Sequence, residues 1–150
     1  MSSPIDHAPW ELNWEASFSV GIPEIDADHQ RFIGLVNALN AAIITRRPID
    51  EIKVCLRAVQ ADAVAHFAHE EVLFKRRGYP EAAEHAQRHA EILQALRDIT
   101  DEATTQGLEY EWIAVGLQIK QVLNEHLLTE DMKYRDFHRA HQTRLAAESA

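Results

Sequence analysis

One cysteine, five glycines and five prolines are few for 150 residues. Cys55 has no partner for an internal disulfide, which fits a reducing compartment, the cytoplasm. So little glycine and proline leaves too few turn residues for a fold of many short strands. Basic residues are also scarce. There are 15 Lys and Arg against 24 Asp and Glu, a net charge of −9 with histidine neutral. That sign opposes nucleic acid and anionic membrane surfaces as partners. No apolar run approaches the roughly 20 residues of a membrane-spanning helix. The opening stretch "MSSPIDHAPWELNW" lacks the basic and apolar regions of a secretory leader, so none is expected. No phosphate loop and no nucleophile triad is present, and the chain is not expected to be an enzyme.

What the chain does have is apolar periodicity and nine histidines. Its length suits one domain with one core. Four long helices are predicted. The first runs from about Asp26 to Thr45, after the breaker Gly21-Ile22-Pro23. The second starts with Asp50 as N-cap, runs to about Arg77 and stops at Gly78. Pro80 opens the third, which ends near Gln106-Gly107. The fourth runs from about Glu109 towards His138. Short connections make neighbours antiparallel, an up-down-up-down four-helix bundle over residues 25–150. Residues 1–24 lack helical periodicity and are expected to lie across the bundle as an extended arm.

Each helix carries a core-facing stripe. The first is Ile25, His29, Phe32, Val36, Leu39, Ile43. The second is Ile52, Leu56, Val59, Ala63, His66, Glu70, Leu73. The third is Ala82, His85, His89, Ile92, Leu96, Ile99. The fourth is Trp112, Gly116, Ile119, Leu123, His126, and its next step falls among Glu130 and Asp131. Each stripe turns polar in one zone only. Those zones lie near the start, end, start and end of successive helices, so antiparallel packing brings them to one level.

A single histidine on an apolar face is ordinary, but seven polar groups in one layer are not. Without partners each would cost about 1–3 kcal/mol. Bound metal offsets that cost. Pairs at i, i+4, His66/Glu70 and His85/His89, share a helix face and can chelate together. His69 lies one position off the stripe and is read as rim. His7, His138 and His141 are read as solvated. Five imidazoles and two acids exceed the four ligands of one zinc, and suit two six-coordinate ions sharing carboxylates. Imidazole with carboxylate favours iron, manganese, copper or zinc. Few anionic ligands stabilise highly oxidised iron poorly, which points to binding oxygen rather than activating it.

The stretches "SVGIPEIDADHQ", "HFAHEEVLF", "GYPEAAEHAQRHAEIL" and "HLLTEDMKY" resemble the hemerythrins, specifically the single-domain bacteriohemerythrins. The likeness spans residues 14–134. It implies two iron ions bridged by Glu70, Asp131 and an oxo or hydroxo group. One iron takes His85, His89 and His126; the other takes His29 and His66 and keeps an open position. Dioxygen binds there, held as hydroperoxide, and release reverses the step. The implied role is oxygen carriage, storage or delivery, with an oxygen-consuming enzyme as a partner. An oxygen or redox sensor acting through a signalling protein is an alternative, as is a di-iron enzyme handling peroxide or nitric oxide. The open side should be dry, with Phe32, Phe67 and Leu123 as walls; Tyr134 matches a family tyrosine beside the centre. Asp28, Val122 and Phe74 stand where the family often has Gln, Trp and Met. None is a ligand, but they bear on pocket size and oxygen access.

The family spacing selects Asp131, whereas the regular stripe steps from His126 to Glu130. Five residues turn an ideal helix by about 500°, so His126 and Asp131 cannot share a face without distortion. A π-bulge between residues 126 and 131 is expected, with Glu130 solvated.

Overall fold

The computed structural model describes residues 11–106 and 112–148. After a 3-10 turn at Ala16–Phe18 come α1 (Pro23–Ile44), α2 (Ile49–Arg76), α3 (Ala82–Gln106), α4 (Trp112–Leu128) and α5 (Glu130–Glu148). α1 and α3 each pack against both α2 and α4, which closes a four-membered ring. α4 and α5 follow one another as the fourth bundle helix, parted at Thr129. The all-α four-helix bundle is thus as expected. His7, Gly107 and Glu109 lie outside the described residues.

The helix ends show which local signals won. Pro23 occupies the first turn of α1, where its missing N–H costs nothing. Asp26 then reaches back to the arriving chain, accepting the Val20 N–H at 2.9 Å and the Ser19 hydroxyl. The Leu12 backbone is tied to α1 twice, donating to Asn37 Oδ1 at 2.8 Å and accepting from Asn37 Nδ2 at 2.7 Å. α2 ends in a Schellman turn. Gly78 has φ +68, its N–H bonds the Lys75 carbonyl, and the Tyr79 N–H bonds the Phe74 carbonyl at 3.0 Å. The Phe74 and Tyr79 rings close that turn edge to face, 5.6 Å apart.

Three expected helix starts shift: α1 begins at Pro23 rather than about Asp26, so the last two residues of the expected extended arm are helical. Pro48, not Asp50, is the N-cap of α2; its carbonyl accepts from Glu51 and Ile52, while Asp50 sits in the first turn. There the carboxylate still faces the positive end of the helix dipole. α3 begins at Ala82 rather than Pro80. The Ala82 N–H bonds the Tyr79 carbonyl at 3.1 Å, which commits Pro80 and Glu81 to the turn.

The apolar core has two main parts. The larger holds Phe32, Val36, Leu39, Leu56, Val59, Phe67, Leu96, Ile119 and Leu123. The smaller holds Val20, Ile22, Ile25, Phe74, Tyr79 and Tyr134. Phe74, rather than the expected Leu73, fills the buried place at the end of α2. Between the two parts lies the polar layer. Phe32 and Phe67 meet His66 from one side, and Phe74 meets His85 from the other.

In the larger core a Cβ on Gly116 of α4 would lie 1.9 Å from Asn40 Oδ1 and 3.2 Å from Ile43 Cδ1. Asn40 is itself buried, so its amide has little room to retreat. Gly116→Ala is therefore expected to destabilise by about 1–3 kcal/mol through overpacking. In an Asn40→Ala background the severe clash is gone and only the flexible end of Ile43 must give by a few tenths of an ångström. The same change should then be neutral or stabilising, since alanine favours helix over glycine by about 0.5–1 kcal/mol. A four-protein urea denaturation cycle checks this; equal effects in both backgrounds would refute the contact.

His138 is not solvated as the tail position suggested. It is 3 % exposed, wedged against Gly21, and its Nδ1 accepts a 2.8 Å bond from Arg77 Nη1. The amphipathic pattern simply continues into α5 and buries it. Burial, with Arg77 and His141 nearby, holds its pKa below the ordinary 6.5, against a backbone bond at Gly21. Above pH 6.5 the ring is neutral folded or unfolded and adds no pH dependence. Below it the unfolded chain takes up a proton that the folded chain resists, so stability falls. Acidification from pH 7.5 to 5.5 should therefore destabilise wild type more than His138→Gln, by up to about 1.4 kcal/mol. Urea midpoints of both proteins at the two pH values test it, and parallel losses would contradict it.

Candidate metal centre

Local structure delivers each donor. His66 and Glu70 are one turn apart on α2, and His85 and His89 one turn apart on α3, so each pair shares a face. His29 faces them from α1, and His126 from the end of α4. Asp131 needs the break at Thr129. There the Glu125 carbonyl accepts both the Thr129 N–H at 3.0 Å and the Thr129 hydroxyl at 2.6 Å. Such back-bonding by a threonine bends helices. On the far side the Lys133 N–H takes the Thr129 carbonyl at 3.1 Å. α4 ends at Leu128 and α5 starts at Glu130, so the distortion is a helix interruption at Thr129 where a π-bulge was expected. It turns Asp131 inward, 1 % exposed, while Glu130 stays partly exposed beside Lys133 at 3.3 Å.

All seven expected donors meet. Their donor atoms form two groups, Glu70, His85, His89, His126 and Asp131 in one, His29, His66 and Glu70 in the other. Glu70 belongs to both. Its Oε1 lies 2.8 Å from His29 Nε2 and 2.9 Å from His66 Nε2; its Oε2 lies 3.0 Å from His89 Nε2 and 3.4 Å from His85 Nε2. Asp131 spans in a similar way. Its Oδ1 is 3.2 Å from both His85 and His126, and its Oδ2 is 3.3 Å from His29. Two carboxylates thus each divide their oxygens between two sets of imidazoles, five rings all presenting Nε2.

The electrostatics follow from burial and proximity. Burial would raise the Glu70 pKa, but His66, His29 and His85 hold it well below the usual carboxylate range. Burial and the Glu70 charge would raise Asp131, yet His126 and His29 pull it down. Burial would lower His66, but Glu70, Asp131 and Asp28 outweigh it and push it up to about 9. His85, lowered by burial and raised by Asp131 and Glu70, is also pushed up to about 9. A metal entering here would therefore compete with protons on His66 and His85.

Hydrogen bonds do not account for the layer. Glu70 Oε2, both Asp131 oxygens, both His85 nitrogens and His29 Nδ1 are buried without a hydrogen-bond partner. Each such group costs about 1–3 kcal/mol. The facing atoms point at shared space rather than along each other's lone pairs, as ligands around a cation do. The donor set of imidazole and carboxylate, with no thiolate, is compatible with iron.

The surroundings hold both expected and unexpected residues. Phe67 stacks on His89 at 3.9 Å and also meets His66 and His126. Phe32 lies 6.3 Å from His66, and Leu123 is buried in the same cluster. Tyr134 lies in the other cluster, fully buried and stacked on Phe74. His69 is exposed at the rim, 2.7 Å from Asp28 Oδ2. Two orienting carboxylates had no expected role. Asp28 Oδ2 is 3.4 Å from His66 Nδ1, and Glu71 Oε1 is 3.2 Å from His89 Nδ1. Such partners fix a ligating ring's tautomer and direction. The signal for Glu71 was adjacency to Glu70; for Asp28 it was adjacency to His29 and an acid where the resemblance leads one to expect glutamine.

Residues 20–137 match the family model described as the hemerythrin HHE cation binding domain. A hemerythrin-like protein of Naegleria gruberi is 32% identical over 127 residues, 85% of this chain and 93% of that protein. A second, from Naegleria fowleri, matches to the same extent. The bacteriohemerythrin of Stenotrophomonas maltophilia (strain R551-3) is 29% identical over 149 residues, 91% of this chain and 88% of that protein. With its seven-donor layer inside a four-helix bundle, the chain belongs to the hemerythrin family.

Proposed function

We propose that the chain binds dioxygen reversibly at a di-iron centre, for carriage, storage or delivery, rather than catalysing a reaction. The seven side chains His29, His66, Glu70, His85, His89, His126 and Asp131 would hold the two irons, with an oxo or hydroxo bridge completing the pair. When bound, iron supplies the two electrons that dioxygen takes up on binding and returns on release. The observation that carries this reading is the asymmetry of the donors, five side chains in one group and three in the other. With fewer donors, His29, His66 and Glu70 would leave an ion on their side room for an outside ligand.

The chain's own residues supply the rest. Glu70 and Asp131 set the separation of the two donor groups by reaching into both. Phe32 and Phe67 press against His66, so an apolar wall borders the side with fewer donors. That wall keeps water from displacing the gas. Asp28 and Glu71 hold the His66 and His89 rings in line. The names of the relatives support the reading.

Metal content and an optical spectrum with and without oxygen test it. The expected result is two irons per chain and a visible charge-transfer band that appears with oxygen and bleaches on its removal. Rapid turnover of peroxide or nitric oxide, with no such reversible band, would replace binding by enzymatic chemistry.

A further inference from the structure

A cleft of about 360 Å³ opens where the α2–α3 turn meets α5. Arg77, His141 and Arg144 line it, with Phe137 and Pro80, and no acid is among its described lining residues. In a chain of net charge −9 that is a local reversal of sign. The Arg77 guanidinium donates to His138 Nδ1 and also hydrogen-bonds Tyr134, which holds its positive charge in place at the cleft. Phe137 and His141 lie nearly parallel, 15° apart with centroids at 6.0 Å, and offer flat ring surface. The volume falls in the range of small-molecule sites.

The cleft is also joined to the metal layer by rings. Phe137 meets Tyr79 at 5.0 Å, Tyr79 meets Tyr134 at 5.1 Å, Tyr134 stacks on Phe74 at 3.8 Å, and Phe74 meets His85 at 4.8 Å. The smaller apolar cluster is thus a continuous aromatic column from a donor histidine to a cationic cleft.

We infer that this cleft binds a planar organic anion of the flavin mononucleotide class, and that its reduced form passes electrons along the column to the centre. The rings match the isoalloxazine face, and the guanidiniums match the phosphate, which arginine holds by charge-assisted, bidentate bonds. The electron count closes. A dihydroflavin leaves as flavin after giving up two electrons, which return a pair of ferric ions to the ferrous state, and two protons, which pass to the solvent at the open cleft. An oxygen binder whose bound oxygen has left as peroxide keeps two ferric ions and is inert until so restored. The electron-entry role rests on the di-iron reading; the binding itself does not.

The test therefore has two arms. In the first, flavin mononucleotide is titrated into the metal-free full chain. Saturable quenching of flavin fluorescence is expected, weakened about tenfold or more by Arg144→Glu, which is exposed, and weaker for riboflavin, which lacks the phosphate. No saturable quenching, or quenching indifferent to both changes, would overturn the site. In the second, the oxidised iron-loaded protein is mixed with reduced flavin mononucleotide without oxygen. Arg144→Glu should slow its reduction about tenfold yet leave reduction by dithionite unchanged. Equal rates with flavin would remove the electron-entry role. Should the protein fail to load two irons, the first arm still decides the cleft.

Discussion

Glu70→Ala is expected to abolish metal binding at both donor groups while leaving a helical bundle. No other donor has so wide a reach, since Glu70 is shared by both groups and touches four imidazoles through its two oxygens. Glu70→Gln keeps the volume and removes the charge, and should fail in the same way, because a neutral amide cannot offset two cations in a buried layer. His29→Ala provides the contrast. It belongs to the smaller group alone and should spare the five-donor group. Iron per chain, measured after loading and gel filtration, separates these outcomes, with circular dichroism to confirm the helices. Retention of two irons by Glu70→Ala would end the seven-donor assignment.

Leu123→Ala is expected to act twice. Leu123 is 2 % exposed in the cluster that backs Phe32 and Phe67, so truncation should destabilise by about 2–5 kcal/mol through lost burial and a residual cavity. The same cavity should admit water towards the wall beside His66. On the oxygen-binding reading, the oxygenated form then decays to the oxidised form faster than in wild type. Denaturant melts measure the first effect, and the decay of the visible band measures the second. A stability loss with an unchanged decay rate would make Leu123 an ordinary core residue with no part in the pocket.

The seven donors were legible because each breaks an apolar stripe at the one level where antiparallel packing aligns the breaks. His66/Glu70 and His85/His89 needed only the i, i+4 rule. Asp131 was harder. Its distance from His126 showed that the helix could not stay regular, but not how it would yield. A π-bulge and a break satisfy the same angular demand, and the helix parts at Thr129. Asp50 and Pro80 misled for a related reason. Each is a good local signal, overruled by the backbone bonds of Pro48 and of the Tyr79–Ala82 turn. His138 was misplaced because position near a chain end says nothing about burial when the amphipathic pattern continues. Asp28 and Glu71 touch the site only through the backs of two rings, a direction that periodicity does not encode.

The polar layer between the two apolar clusters sets how the molecule holds together as a whole. Neither the Phe74–Tyr134 end nor the Phe32–Leu123 body packs directly through that plane; seven polar donors stand in it. With protons alone in the layer, the ends are coupled by imidazole–carboxylate pairs that do not all have hydrogen-bond geometry. The metal-free chain is thus expected to open at one end without the other, which amide hydrogen exchange in α5 against that in α4 would show. On the di-iron reading, a cation pair held by both carboxylates and all five rings would tie the two ends together and make opening all-or-none, so that metal would supply cooperativity as well as chemistry.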